Sequence, residues 1–267
     1  MSFESLILGI VQGLTEFLPV SSSGHLALLQ NLWGITENSL TYDLLLHFST
    51  MVATACFFWR DILYLFREWL VGFVSSSGRQ SEGWRLGWAV ICGTFVTAFI
   101  GFPLKPLVER WMVVPSLVGA ALLVTSLLLW YASTLPRGQG KISLLSGLLI
   151  GVAQGLAVIP GISRSGSTIV MGLKRGLSPE EAFRFSFLLS LPAILGANIL
   201  QIMDITKNES LVTQLPDFWY GGVIIAFISG YGALICLRKM VTLGRWRIFA
   251  FYCLIPASVS LLSVLWR

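Results

Sequence analysis

The chain has 267 residues, of which 55% are hydrophobic and only 12% charged, whereas a soluble domain carries roughly a quarter charged residues. Mean hydropathy is +0.79 and the formal net charge is +5. This composition excludes a soluble globular domain, a disordered chain and a disulfide scaffold, and leaves an integral membrane protein whose apolar side chains face lipid.

The basic residues are scattered between apolar blocks and form no continuous patch, so no nucleic-acid partner is expected. Cys56, Cys92, Cys236 and Cys253 lie in apolar stretches without CxxC spacing and read as small buried hydrophobes. The segment Met1-Ser2-Phe3-Glu4-Ser5 has no basic region, which predicts no cleavable signal peptide.

A transmembrane helix needs about 20 apolar residues. The first apolar stretch, about 5–32, is interrupted by Leu18-Pro19-Val20-Ser21-Ser22-Ser23-Gly24. Proline removes a donor and glycine weakens a helix, so the helix should break there. Broken backbone at membrane depth must be buried in protein or line a wet cavity, which predicts a re-entrant helix–loop–helix hairpin. Spans follow at about 42–59, 86–104 and 114–131. A second interrupted stretch, 145–173, breaks at Ile159-Pro160-Gly161-Ile162-Ser163-Arg164-Ser165-Gly166 and predicts a second hairpin. Spans at about 182–203, 218–237 and 248–266 bring the expected total to six. With that layout one side holds 12 Lys and Arg and the other 4, the latter being Lys105, Arg110, Lys207 and Arg267; Arg164 and Arg184 fall inside membrane segments. The 12-residue side should be cytoplasmic, placing both termini outside.

The two interrupted stretches are copies. A shift of 142 residues sets 9–24 on 151–166 without a gap, with 7 of 16 positions identical: Gly9/Gly151, Gln12/Gln154, Gly13/Gly155, Leu14/Leu156, Ser21/Ser163, Ser23/Ser165 and Gly24/Gly166. Each hairpin is followed by three spans, an odd number, so the halves (about 1–135 and 140–267 of a single membrane domain) should be oppositely oriented. This is the inverted-repeat plan of many transporters, with the functional site where the broken helices meet.

The copies differ in chemistry. Glu16 aligns with Val158, Ser22 with Arg164 and His25 with Ser167. An ionisable group inside an apolar helix is costly, which marks Glu16 as functional, with a structural ion pair to arginine as the bland alternative. Gln12 lies one turn earlier on the same face and could orient Glu16, bind substrate, or bond to Gln154 between the hairpins. In Ser21-Ser22-Ser23-Gly24-His25, one or two hydroxyls should satisfy free backbone groups. Beside Ser22 and Glu16, His25 reads as acid, base or nucleophile; His47, the other histidine, ranks lower. Arg164 offers a planar fork of donors suited to phosphate. Gly161 and Gly166 permit close backbone approach, and Ser163, Ser165, Ser167 and Thr168 add hydroxyls, which together suggest a phosphate cradle at a helix start. The spacing is not that of a P-loop, and no His or Cys cluster suggests zinc.

Gln-Gly-Leu-Thr-Glu-Phe-Leu-Pro-Val-Ser-Ser-Ser-Gly-His (12–25) and Pro-Gly-Ile-Ser-Arg-Ser-Gly-Ser-Thr (160–168) closely resemble the two signatures of the bacterial undecaprenyl-diphosphate phosphatases, the bacitracin-resistance family. The resemblance implies an all-α, inverted-repeat membrane enzyme with re-entrant hairpins. It would hydrolyse undecaprenyl diphosphate to undecaprenyl phosphate and inorganic phosphate, recycling the lipid carrier of envelope polymers. It implies catalytic roles for Glu16, Ser22, His25 and Arg164, and substrate binding by Gln12, Ser21, Gly161, Ser163, Ser165, Gly166 and Thr168. Its partners would be a polyprenyl diphosphate and membrane lipid, with a homodimer left open. The place would be the bacterial plasma membrane, with the site open to the outer face. A divalent cation, Mg²⁺ or Ca²⁺, is implied, and Glu16 is the best metal candidate, although Gln rather than Glu at position 12 weakens a ligand role there. Ser22 is slightly favoured over His25 as nucleophile. A carrier or flippase of a phosphorylated lipid is the other reading of the same features.

Overall fold

The computed structural model describes residues 2–33, 39–206 and 215–262. The first interrupted stretch forms α1 (Ser2–Phe17) and α2 (Ser22–Trp33), with the break falling on residues 18–21. The second forms α7 (Leu144–Leu156) and α8 (Arg164–Lys174). Thus α2 and α8 begin at aligned positions of the repeat, Ser22 and Arg164. At about 1.5 Å per residue, none of these four helices crosses a ~30 Å hydrocarbon core by itself.

The remaining helices are α3 (Ser39–Phe57), α4 (Trp59–Val74), α5 (Glu82–Met112), α6 (Pro115–Ala132), α9 (Pro179–Thr206), α10 (Trp219–Leu243) and α11 (Trp246–Leu262). Serine caps set several starts: Ser81 accepts from Trp84 N, Ser143 from Ser146 N and Ser163 from Gly166 N, each at 3.1 Å. Pro115 opens α6, where its missing N–H costs nothing. Gly244, at φ +70°, closes α10.

Four helices are long and apolar enough to cross a membrane by length and composition: Glu82–Met112, Pro115–Ala132, Pro179–Met203 and Trp219–Leu243. They correspond to four of the six expected spans. The stretch expected at 42–59 stops at Phe57, and its polar residues, among them Asp43 and His47, lower its hydropathy. The span expected at 248–266 is seen as a 17-residue apolar helix, and residues 263–266, like Lys207 and Arg267, lie outside the described residues. The sequence reading contained no counterpart of α4. Trp59, Leu63, Phe66, Leu70 and Phe73 are exposed along it at three- and four-residue spacing, while Gly72 is buried against the Trp84 ring; this is an amphipathic helix. Of the four cysteines expected to be buried, Cys253 is, whereas Cys56 and Cys236 are exposed on apolar helices.

The halves are intertwined. The most extensive partner of α1 is α10, and that of α7 is α5; α6 packs on α11 and α3 on α9. Small residues allow the backbones to meet. Gly9 of α1 lies against the Gly222 backbone of α10, and a Cβ added at the aligned Gly151 of α7 would stand 2.5 Å from Gly93 O of α5. At the foot of α1, Phe17 packs on Phe187 of α9 with ring centroids 5.8 Å apart, and Phe187 packs on Phe58 at the same distance. This aromatic cluster fixes the end of α1 that carries Glu16.

Arg184, expected within a membrane segment, is paired. Its Nε is 2.7 Å from Asp61 of α4, and its Nη1 is 3.2 Å from Glu82 of α5 and 3.8 Å from Glu181 of its own helix. Lys141 joins the group at 2.7 Å from Glu82, whose carboxylate raises the lysine pKa above its ordinary value by accepting its hydrogen bond. These charges tie α4, α5, α9 and the segment before α7 together.

Candidate active site

Helix α1 presents Gln12 and Glu16 one turn apart, and both side chains are buried. Glu16 is the hub. Its Oε1 accepts from Arg164 Nη2 at 2.6 Å. Its Oε2 accepts from Ser22 Oγ at 2.6 Å and from Gln12 Nε2 at 3.1 Å. One carboxylate therefore joins α1, the start of α2 and the start of α8. The ion pair between Glu16 and Arg164, expected as the structural alternative, does form, and it forms in the same cluster as Ser22 and Gln12.

The two loops are pinned to one another and to α6. Gly161 N donates to Ser21 Oγ at 3.1 Å. Thr125 Oγ1 donates to Gly161 O at 2.7 Å and accepts from Ser163 N at 3.0 Å. Ser21 and Gly161 both have positive φ, +69° and +96°. At Gly161 a Cβ would also stand 2.5 Å from Val118 O, so only glycine fits. Here Ser21 and Gly161 shape the loops, as one reading of the hydroxyls anticipated.

The expected phosphate cradle is divided between support and free donors. Ser163 Oγ caps α8. Thr168 is buried, donates to Arg164 O at 2.8 Å and bonds Ser186 at 2.5 Å. Ser165 Oγ lies 3.3 Å from Ser163 Oγ and 3.5 Å from Leu18 O, bridging the two loops. The nitrogen left over is Arg164 Nη1, which is buried and without a hydrogen-bond partner. A buried donor lacking a partner is costly, and an incoming anion would satisfy it.

His25 does not join Ser22 and Glu16. Its Nδ1 is 2.8 Å from Ser21 O and its Nε2 is 3.0 Å from Tyr252 Oη of α11, with the two rings nearly parallel at 8°. A carbonyl only accepts, so Nδ1 holds a proton, and Nε2 faces the tyrosine hydroxyl. Gln12 and Gln154 do not bond to each other; Gln154 Nε2 donates to Thr97 Oγ1 at 3.3 Å and Leu189 O at 3.4 Å.

The structure adds His47, which the sequence ranked low. From α3 its Nδ1 reaches Gln12 Nε2 at 3.0 Å and lies 3.4 Å from Glu16 Oε2. One turn before it, Asp43 accepts from Gln30 Nε2 of α2 at 3.0 Å through both oxygens. Tyr252 and Thr125 are further additions. A lone histidine in an apolar run carries no spacing signal, and Thr125 and Tyr252 lie in apolar helices far from either loop in sequence.

A divalent cation fits this donor set poorly. Among the described residues no group of three or more His, Cys, Asp or Glu could hold a metal ion. Both Glu16 oxygens already accept from protein donors, one of them a guanidinium. Gln12 Oε1, buried without a partner, is the remaining free oxygen on this face of α1.

Residues 5–259 match the family model described as Bacitracin resistance protein BacA. Similar proteins named undecaprenyl-diphosphatase include one from Desulfosudis oleivorans, 43% identical with 97% of each chain covered. Another is from Methanosphaera stadtmanae, 41% identical over 97% of this chain and 96% of the relative. A third, from Carboxydothermus hydrogenoformans, is 41% identical over 94% and 93%. The two loops that meet at Glu16 therefore sit in a chain that matches this family along almost its entire length, and the protein belongs to the bacitracin resistance protein BacA family.

Proposed function

We propose that this protein is an undecaprenyl-diphosphate phosphatase, releasing inorganic phosphate and returning undecaprenyl phosphate to envelope polymer synthesis. Bacitracin resistance follows from the same turnover. The observation that carries the reading is the Glu16 carboxylate, which holds a serine hydroxyl from one loop and a guanidinium from the other at 2.6 Å each. That arrangement joins a nucleophile, its base and a phosphate ligand in one enclosed cluster.

In the proposed reaction the diphosphate enters between the loops and its terminal phosphoryl group meets Arg164 Nη1. Glu16 Oε2 takes the Ser22 proton as Oγ attacks phosphorus. The bond to the bridging oxygen breaks, and undecaprenyl phosphate leaves with that electron pair. Water then attacks the phosphoseryl group, the phosphorus–Oγ bond breaks, Ser22 regains a proton through Glu16, and phosphate departs. Arg164 stabilises the charge on the equatorial oxygens in both steps. His25, held by Ser21 and Tyr252, lines the mouth on the α11 side and is the second candidate for proton transfer. Because the donor set does not make a resident cation site, these steps use protein groups alone. Mg²⁺ or Ca²⁺ has its natural place as a companion of the diphosphate.

The inverted-repeat, six-span architecture is part of the same proposal. It is supported by the aligned starts of α2 and α8 and by the exchange of partners, α1 on α10 and α7 on α5. Short paired helices broken at glycine-rich loops fit re-entrant hairpins. The charge distribution supports the orientation with the Lys- and Arg-rich side in the cytoplasm, and the family resemblance supports a plasma-membrane protein whose site opens to the outer face. An apolar groove on α5, lined by Phe95, Val96, Ala98, Phe99, Phe102 and Pro103, offers a path for the prenyl tail. Gly101, between them, abuts Val158 of the second loop. Glu16, Ser22 and Arg164 all come from one chain, so a homodimer would add no catalytic group.

The test is phosphate release from undecaprenyl diphosphate by purified protein in detergent. Release by wild type that vanishes in Ser22→Ala supports the reading. No release by well-folded wild type, together with lipid movement across liposome leaflets, would replace the enzyme by a carrier.

A further inference from the structure

His47 touches the reacting cluster and has no part in the steps above. Gln12 Nε2 carries two protons. One is directed at Glu16 Oε2, 3.1 Å away, and the other finds His47 Nδ1 at 3.0 Å. An amide NH₂ serves both only when Nδ1 presents a lone pair, so the imidazole keeps its proton on Nε2. The result is a chain of acceptor, bridging amide and carboxylate. A Gln12 amide turned over would set its oxygen against a carboxylate oxygen and leave His47 facing nothing it can bond in this form. The Glu16 carboxylate, which only accepts, sets which end of the amide faces it, and His47 accepting at Nδ1 holds that end in place.

The helix bearing His47 is well anchored. Tyr42 Oη donates to Ser5 O of α1 at 2.7 Å, and Ser49 Oγ donates to Val223 O of α10 at 2.6 Å. Asp43 is held by Gln30 of α2. So α3 is tied to α1, α2 and α10 within two turns of His47. The carboxylate is enclosed at 6% accessible side chain, whereas the imidazole, at 32%, sits at its edge.

We propose that His47 is a positioning residue for this hydrolysis: it fixes the Gln12 amide and through it aims Glu16 Oε2 at the Ser22 hydroxyl. The proposal rests on the phosphatase reading and adds to it a third helix, outside both loops. Removing an outer partner that orients a metal ligand typically lowers activity about 10- to 100-fold, and the same scale is expected for a partner that orients a proton-accepting carboxylate.

The experiment measures kcat and KM for phosphate release from undecaprenyl diphosphate by wild type, His47→Ala, His47→Asn, Gln12→Ala and the Gln12→Ala/His47→Ala double variant, with thermal unfolding of each. His47→Ala should lower kcat about 10- to 100-fold with KM changed by less than about threefold. His47→Asn, whose Oδ1 falls where Nδ1 was, should recover most of that loss. The double variant should be no slower than Gln12→Ala, because His47 acts through Gln12. If His47→Ala does not stay monodisperse, His47→Phe, which fills the ring volume without an acceptor, takes its place with the same expected loss. Wild-type kcat in a folded His47→Ala, losses that multiply in the double variant, or a folded His47→Asn as slow as His47→Ala would overturn the proposal. An inactive wild type would instead overturn the phosphatase reading itself.

Discussion

Arg164→Lys tests the proposed phosphate-binding role of the second loop. In the structure Arg164 divides its fork: Nη2 holds Glu16 at 2.6 Å, and Nη1 is buried with no partner. A lysine has one nitrogen at the end of its chain, so it can keep the carboxylate or meet the phosphate, but not both in that geometry. Loss of one preorganised donor to a developing oxyanion lowers kcat about 10²–10³-fold, or about 2.7–4 kcal/mol. Arg164→Ala does more. The paired side chains are 18% and 6% accessible, and removing one partner of an enclosed ion pair costs about 3–5 kcal/mol of stability. The two variants thus separate chemistry from folding. Phosphate release and thermal unfolding are measured on the same detergent-purified preparations. The lysine variant should lose turnover at nearly wild-type Tm, and the alanine variant should lose both. A lysine variant whose kcat stays within about tenfold of wild type would refute the reasoning, because the free Nη1 would then not be the group that meets the transferred phosphoryl oxygens.

Ser22→Ala should lower turnover about 10⁴-fold or more, the scale seen when a nucleophile is removed; substantial residual phosphate release would transfer the nucleophile's role away from Ser22. Gly161→Ala should lower Tm, since backbone strain at positive φ alone is worth about 1–3 kcal/mol and the added methyl would press on Val118 O, 2.5 Å away; an unchanged unfolding curve would contradict the loop geometry. Tyr252→Phe keeps the ring beside His25 but removes its hydroxyl, and kcat should fall about 2- to 10-fold, the worth of one hydrogen bond; a pH–rate profile and kcat identical to wild type would leave His25 without a role in proton transfer.

The parts of the site legible in the sequence are those written into a repeated pattern. Glu16, Ser22 and Arg164 stand at or near aligned positions of two copies, and the breaks at Pro19 and Gly161 follow from residues that cannot continue a helix in the ordinary way. The aligned starts of α2 and α8 came from the same shift. What stayed hidden depends on which helices pack together. His47 is a single histidine in a moderately apolar run; only the contact of α3 with α1 makes it a neighbour of Gln12. Tyr252 reaches His25 from a helix 227 residues away in the chain, and no spacing rule links them. His25 shows the reverse: three residues of sequence separate it from Ser22, but the helix turns its ring toward α11, where it meets Tyr252. Helix α4 was missed because the charged residues Arg60, Asp61 and Arg67 mark a connection by composition, although its apolar residues recur at helical spacing.

The exchange of partners between the halves has a consequence for biogenesis. Helix α1 is synthesised well before α10, yet Gly9 meets the Gly222 backbone only when α10 has been made. Until then the small-residue face of α1 that receives Gly222 is uncovered, although the Glu16 partners Gln12, Ser22 and Arg164 have already been made. Neither half can complete its own core, so a chain severed between α6 and α7 would have to reassemble as a pair, and each fragment alone would expose a glycine-lined seam. The packing of α1 is therefore completed only with the late arrival of α10, which exposes this seam to non-native contacts while the rest is synthesised.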